Sequence, residues 1–554
     1  MADEHQLEQV LSKLELAEKE DPAPLSKEEE DPEPLSKEEE DPEHLKKEED
    51  PEQLNKEKED PEKNKEEDTG QLNKEKEDPE KNKEEDPGQL NKEKEDPEKN
   101  KEEEGYDDDD DYWDSEDEYE EDEEYAGKVY TQQVTYIEKE DWELLSKEQA
   151  DVDDDFEEVE GTEVEVIEDV VAFFKEHGHE YSIYTVDFED EEVILVKTTE
   201  GVDLRPYCRL LQGQRENAEK LLMIPLSKLQ EVADSIAEEV EHVQEIFLYM
   251  TGRCGSTLFM NAANTLPNVQ AVNLPEVYAA IAEAANWAEL DIPDDENELF
   301  RDEVTGTAFI KNITTLLNYY FLKSDPLQRS TIIYSLHPSQ FYVGKLMAKA
   351  LPRAKTAFLY RNGMQFYESH IRLMLDNKMR HFRNFRKAMK TGRQNYEWQE
   401  DYDSVVVFGD DVTTDEDDKS ISFYIITLWQ GAMKHALKLQ EEEPDKFFHA
   451  ALSYESLVEK KSKVFLEAME KLGVKADIND ADIEVPLAEV FNKEALTWPS
   501  GFAFSSHPVR ETNEYVPHGE VWMGEYERSV FDEVCETSGW QPTEPDFVFP
   551  GSIR

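Results

Sequence analysis

EIFLYMTGRCGSTLFMNAANTLP, running from Glu245 to Pro267, decides the fold. Ile246 to Met250 is an unbroken apolar run that reads as a buried strand. It empties into a Gly-containing turn, TGRCGST at 251–257, and then into a helix with hydroxyls on its first residues and an apolar face further on. Strand, tight turn and helix N-terminus together form a place for a phosphate or sulfate. The first helical N–H groups lack intrahelical partners, and the helix dipole favours an anion there. The familiar nucleotide-binding loop needs Gly-Lys followed by Ser or Thr, with the Lys reaching the terminal phosphates. No Lys stands at that place; Arg253 supplies the cation two residues before Gly255, with Ser256 and Thr257 opening the helix. Alone, the turn also reads as a plain strand-to-helix connection.

Outward from this stretch, residues 241–545 alternate strand and helix patterns. TIIYSL (331–336), TAFLY (356–360) and FFHAALSY (447–454) read as strands. Helices are expected over SQFYVGKLMAKAL with Ser339 as its cap, over 364–380, over 420–441, and over 455–472 ending at Gly473. Apolar strands separated by helices imply an α/β fold, a central parallel sheet flanked by helices in three layers. Ligands then gather at the carboxyl ends of the strands.

A second constellation lies in AKTAFLYRNGMQFYESHIR, which places Arg361 directly after a strand and Ser369 eight residues later in the following helix. An Arg at a strand's carboxyl end with a hydroxyl brought back by the helix makes a second anion site on the same rim. The planar guanidinium suits phosphate oxygens bidentately.

With both sites in view, residues 241–545 resemble the sulfotransferase family, whose donor is 3′-phosphoadenosine 5′-phosphosulfate. The resemblance implies that Arg253, Cys254, Gly255, Ser256 and Thr257 hold the 5′-phosphosulfate, and that Arg361 and Ser369 hold the 3′-phosphate. HAALSYESLVEKKSKVFLEAMEKLGV (449–474) also looks like the strand and helix around the family's Tyr-Glu-Asp-Leu segment, with Tyr454, Glu455 and Leu457 aligned. Gly252 stands where the family usually has Pro, Cys254 where it has Ser or Thr, and Gly363 where Pro commonly follows the Arg-Asp or Arg-Asn pair. The family's basic Gly-rich loop over the nucleotide is expected near HGEVWMGEY (518–526), which lacks basic residues.

The implied activity is transfer of a sulfuryl group to a hydroxyl acceptor, with no metal required. Arg253 serves the leaving group as well as donor binding, and acceptor positioning follows the logic of phosphoryl transfer. Two residues are candidates for the proton acceptor. Glu276, in NLPEVYAA, resembles the base of the tyrosylprotein and carbohydrate branches, and also reads as an ordinary helix-start acid beside Pro275. His337, in TIIYSLHPSQ, lies near the His of the cytosolic branches, displaced by one, and also reads as a satisfied loop histidine. RLMLDNKMRHFRNFRKAMKTGR (372–393) gathers basic residues in an acidic protein, as a dock for an anionic acceptor or for the chain's own acidic tail, or as a solvated helix face.

The rest of the chain frames this core. The formal net charge is −77, and residues 1–125 carry −38 of it, from 56 acidic residues against 18 lysines. Acidity in both parts argues against nucleic acid as a partner. Residues 1–125 repeat at ten residues from Asp21 and at eighteen from Gln53, Gln71 and Gln89. No repeat has an apolar face to bury, so the composition predicts a disordered acidic tail. Its aromatic and acidic end, 105–125, reads as a weak divalent-cation binder, a dock for a basic partner, a place for modification of Tyr106, Tyr112, Tyr119 or Tyr125, or a solubilising spacer. Residues 126–240 read as a small α+β lead-in, with a helix over 164–177, two strands joined by a turn around Asp190, and a helix over 225–240. Residues 546–554 form a C-terminal tail. Three cysteines, Cys208, Cys254 and Cys535, suggest neither metal knot nor disulfide framework. No secretory signal or run of roughly 18 apolar residues appears, so a soluble cytoplasmic protein with no membrane partner is expected. Two rivals stand beside the transferase: a non-catalytic scaffold of the same fold whose acidic tail binds cations or a basic partner, and a P-loop kinase or NTPase, which the missing Gly-Lys-Ser/Thr disfavours.

Overall fold

The computed structural model describes residues 125–137, 150–207, 209–289, 298–374, 383, 386, 387, 390, 421–443, 447–475, 481–492 and 522–554, all within one compact unit, Asp108–Arg554. The acidic repeats, Cys208 and the acidic stretch DSVVVFGDDVTTDEDDKS (403–420), which reads from sequence as an inserted loop, lie outside the described residues.

The lead-in is an antiparallel sheet. Its strands are β1 (Tyr130–Tyr136), β2 (Phe156–Glu158), β3 (Glu165–Val166), β4 (Tyr181–Asp187), β5 (Glu192–Thr198) and β6 (Ala218–Pro225). Their order is β2-β1-β6-β5-β4, with β3 also pairing β1. The expected hairpin around Asp190 is present: the Asp187 carboxylate accepts the N–H groups of Glu189 and Asp190, both at 2.9 Å, and Asp187 pairs with Glu192. Glu192, 8% exposed at the head of β5, has its carboxyl pushed up to about 7, by burial first and then by the charges of Asp190 and Asp187. The helix expected over 164–177 forms only as α1, Val170–His177, because Asp169 caps it by accepting the N–H of Ala172 while 165–166 joins the sheet as β3. After α2 (Leu210–Glu216) and β6, α3 (Leu226–Val240) buries Leu229, Val232, Ala233, Ile236 and Val240 along one face.

The core is a five-stranded parallel sheet of β7 (Gln244–Met250), β8 (Val269–Asn273), β9 (Thr331–Ser335), β10 (Lys355–Tyr360) and β11 (Ala450–Ser453), in the order β11-β10-β7-β9-β8. The opening run is its central strand, buried on both faces, which is why it reads as continuously apolar. Alternate residues go to opposite layers. Phe247 and Tyr249 join the cluster that includes Tyr278, Ile313 and Trp429, whereas Ile246, Leu248 and Met250 join Phe259, Phe465 and Leu487. The first cluster continues into Phe174, Leu195 and Leu229, so the lead-in and the parallel sheet share one hydrophobic core. The α/β class is therefore as expected.

The flanking helices are α4 (Ser256–Asn264), α5 (Val277–Glu289), α6 (Glu303–Ser324), α7 (Gly344–Ala350), α8 (Gly363–Met374), α9 (Ile421–Glu442), α10 (Tyr454–Lys460), α11 (Ser462–Lys471), α12 (Ala481–Asn492) and α13 (Glu525–Ser538). Two expectations need correction. Ser339 caps no helix: Pro338–Phe341 is a short 3-10 turn, α7 begins only at Gly344, and the Ser339 hydroxyl lies 3.3 Å from His337 Nδ1. The single helix expected over 455–472 is two, because Lys461, at φ 50°, turns the chain between α10 and α11. Among the described residues no helix is long and apolar enough to cross a membrane.

Candidate functional site

The carboxyl ends of the five strands share one rim. The chain leaves β7 for the β9-β8 side and returns to add β10 and β11 on the other, so the turn after β7 stands where the strand order diverges. That turn is held left-handed at Gly252 (φ 76°), Arg253 (φ 45°) and Gly255 (φ 83°), and Gly255 is the N-terminal cap of α4. A side chain at Gly255 would run into Tyr454, whose Cδ2 lies 2.6 Å from where a Cβ would be. The glycine is therefore required both for its φ and for the close approach of the ring.

The second constellation meets this turn. Arg361, at the end of β10, donates from Nη1 to the main-chain carbonyl of Arg253 at 2.9 Å. Its guanidinium carbon lies 4.3 Å from the centre of the Tyr454 ring. Arg253 in turn donates from Nε to Ser369 Oγ at 3.1 Å. The backbone beside Arg361 is fixed from two sides: Trp429 Nε1 donates to its carbonyl at 2.9 Å, and the Asn362 N–H donates to Glu455 Oε1 at 3.0 Å. One donor is left over. The Nε–H of Arg361 is buried without a hydrogen-bond partner among the described residues, a condition that burial penalises unless a ligand supplies the acceptor.

Arg253, Gly255, Arg361 and Ser369 are thus brought together, with Ser256 and Thr257 on the first turn of α4 beside them. Cys254 is in the same turn but faces the other way. It is fully buried in the cluster of Ile246, Leu248 and Phe259, and its thiol is pushed up to about 12 by burial, against the opposing effects of the Thr251 hydroxyl and Arg361. What Cys254 can offer a ligand is its backbone, not its sulfur.

The two proton-acceptor candidates sit at different distances along the rim. His337 follows β9, the neighbour of β7, and the next residue, Pro338, lies 3.8 Å from where a Gly252 side chain would begin. Glu276 opens α5 beyond the outermost strand, β8. Its approach is bent by Leu274, at φ 48°, whose N–H donates to Ser335 Oγ at 3.1 Å.

His370 is a neighbour that sequence reasoning passed over. It follows Ser369 in α8, its ring centre is 4.2 Å from that of Phe366, and its Nδ1 donates to the Phe366 carbonyl at 3.2 Å. Burial holds its imidazole down to about 3, reinforced by the charge of Arg253, with the bond to the Phe366 carbonyl opposing and Arg361 and His337 adding smaller effects. Only the helical placement of a histidine one residue past Ser369 could have signalled it.

Gly363 also finds its reason here. Its N–H donates to the Pro545 carbonyl at 2.7 Å, a bond proline could not make, and a Cβ there would fall 2.6 Å from Phe531 Cζ. Of HGEVWMGEY, 518–521 lie outside the described residues, and Trp522 and Met523 rest on α8 at Glu368 and Arg372. The Met523 N–H donates to Glu368 Oε2 at 3.4 Å, and the Arg372 guanidinium, paired with Glu368, lies 4.3 Å from the Trp522 ring. Within the basic stretch, Arg386 pairs with the buried Glu527 at 2.5 Å and Lys390 lies over Tyr526 at 4.4 Å. These charges engage the chain's own groups. No group of three or more His, Cys, Asp or Glu suited to a metal occurs among the described residues.

Neither a family model nor a curated protein matches the sequence. Among solved structures, the chain is similar to the sulfotransferase domain from the Synechococcus PCC 7002 olefin synthase, at 15% identity and a TM-score of 0.26 over 53% of this chain and 93% of that domain. It is likewise similar to the sulfotransferase domain from the curacin biosynthetic pathway, at 12% identity and a TM-score of 0.28 over 54% of this chain and 98% of that domain.

Proposed function

We propose that this protein transfers a sulfuryl group from 3′-phosphoadenosine 5′-phosphosulfate to a hydroxyl acceptor. The observation that carries the reading is the meeting of Arg253, Arg361 and Ser369 at the left-handed turn before α4, with one buried Arg361 donor lacking an acceptor among the described residues. A ligand with two separated anionic ends fits that arrangement. The N–H groups at the start of α4, Ser256 and Thr257 receive one end, and Arg361 with Ser369 receives the other. The bound donor supplies the sulfuryl group. The chain supplies donors fixed before the reaction, aimed at charge that grows on the leaving phosphate. Arg253 stands between the two ends, so it serves both. His337 is the nearer proton acceptor, because its strand adjoins β7 and its neighbour Pro338 lies against Gly252; Glu276 is the second candidate. No metal enters the proposal.

The test is transfer from labelled donor to a panel of phenol, steroid, carbohydrate and tyrosyl-peptide acceptors. Label should appear in at least one acceptor, and Arg253→Ala should lower the rate by about 100-fold or more, as expected for loss of a fixed charge-stabilising donor. Full-rate transfer by Arg253→Ala, or transfer to none of the panel, would count against it.

A further inference from the structure

We infer that the segment 545–553 is a positioning strap for Arg361, so that its docking and the binding of an anion at that guanidinium reinforce each other. This inference rests on the reading of Arg361 as a donor-binding residue. Its basis is that the segment grips the chain on both sides of that arginine. After Arg361, the Gly363 N–H donates to the Pro545 carbonyl at 2.7 Å. Before it, the Tyr360 hydroxyl accepts the Phe549 N–H at 3.2 Å and lies 2.9 Å from Ser552 Oγ. Ser552 Oγ lies in turn 2.7 Å from the Phe549 carbonyl. A carbonyl can only accept, so Ser552 gives its proton to Phe549 and Tyr360 gives its own to Ser552. Tyr360, Ser552 and Phe549 thus close a ring of three hydrogen bonds, an arrangement in which each bond polarises the next.

The strap is anchored beyond this ring. Ile553 bridges Leu452 of β11, with its N–H donating to the Ala451 carbonyl at 2.8 Å, and the Phe549 ring lies 4.8 Å from that of Phe358 in β10. The root of the strap is held by α9, where Gln430 Nε2 donates to the carbonyls of Trp540 and Pro542 at 3.1 and 3.2 Å. The residue before Gln430 is Trp429, which donates to the Arg361 carbonyl. The backbone direction at Arg361 is therefore set by β10, α9 and the strap together. An anion that needs this direction binds the docked strap better than a released one, and by reciprocity the docked strap tightens the anion.

The probe is 3′-phosphoadenosine 5′-phosphate, added to the full chain. The amides of Phe549 and Ile553 exchange when the strap lets go locally. Saturating probe should slow them about 5-fold or more in the wild type, over times in which the amides of the central strand β7 have not exchanged. By calorimetry, Ser552→Ala and Tyr360→Phe should each bind the probe about 5- to 10-fold more weakly. A purely structural strap would lower the stability of both variants and leave their affinity at the wild-type value. Unslowed exchange at Phe549 and Ile553, or wild-type affinity in either variant, would overturn the inference and leave the anion site standing. A wild type that does not bind the probe would overturn both. Should a variant fail to fold, the exchange measurement on the wild type decides alone.

Discussion

Arg361 donates to the main-chain carbonyl of Arg253 at 2.9 Å, so the arginine at the end of one strand holds the turn that follows another. This bond fastens a residue that prefers not to be where it is. Arg253 has φ 45°, in the region that side-chain-bearing residues avoid at a cost of roughly 1–2 kcal/mol. The turn accepts that strain and in return places a cation at the N-terminus of α4.

Arg253→Gly should therefore separate stability from binding. Glycine adopts this φ freely, so the variant's unfolding free energy should match or exceed the wild type's by up to about 1 kcal/mol, less whatever the lost Ser369 bond contributed. Its affinity for 3′-phosphoadenosine 5′-phosphate should fall by about 10-fold or more. Denaturant unfolding and calorimetry on one preparation check both, and unchanged affinity would remove Arg253 from the site.

Cys254→Ser tests which side of the turn the thiol belongs to. Restoring the hydroxyl that the resembled family carries would strengthen donor binding if that side chain faced the ligand. Its burial among Ile246, Leu248 and Phe259 predicts otherwise. The variant should lose about 1–2 kcal/mol of stability, from a polar group placed in an apolar cluster. Affinity should shift by less than about twofold. A clear gain in affinity would mean the side chain reaches the ligand.

Much of the geometry of this candidate site was legible because its residues lie in short stretches of sequence. The turn TGRCGST, the strand before it and the eight-residue interval from Arg361 to Ser369 are each contained in a short stretch, and the parallel sheet brings the two stretches to one rim. What was not legible depends on contacts distant in sequence. That Cys254 points inward follows from the alternation of Ile246, Leu248 and Met250 into the cluster it joins, which a residue in a turn does not reveal. Gly363 looked like a lost proline until Pro545 and Phe531 came against it from the C-terminal segment. Strand β8 is five residues in a connection that otherwise forms helices, and its sequence VQAVN is too short to show a period. Lys461 broke a helix whose apolar spacing was continuous on both sides.

Gly363→Ala probes that long-range packing directly. The new methyl group would meet Phe531 Cζ at 2.6 Å and Pro545 Cα at 3.1 Å, and Phe531 is fully buried. A loss of about 1–3 kcal/mol is expected from overpacking, measured by denaturant unfolding. A neutral effect would show that the C-terminal segment gives way without cost.

Away from the site, Glu192 gives the lead-in sheet a pH signature. Its carboxyl, pushed up to about 7 in the folded chain, holds its proton more tightly there than when unfolded. The stability it allows is intact below about pH 4.5 and is lost as pH rises through about 7. Glu192→Gln should thus gain roughly 2–3 kcal/mol over the wild type near about pH 8 and little near about pH 4.5. Equal differences at the two pH values would mean that Glu192 is already ionised in the fold.

The central claim is that the turn after β7 and the Arg361–Ser369 pair form one site for a ligand with two anionic ends. Calorimetry with 3′-phosphoadenosine 5′-phosphate, on the wild type and Arg361→Ala, tests it most directly. The account predicts saturable wild-type binding without added magnesium, weakened at least about 100-fold in the variant, as expected for losing a buried charged donor. Wild-type protein that does not bind, or an Arg361→Ala variant that binds equally well, would contradict it.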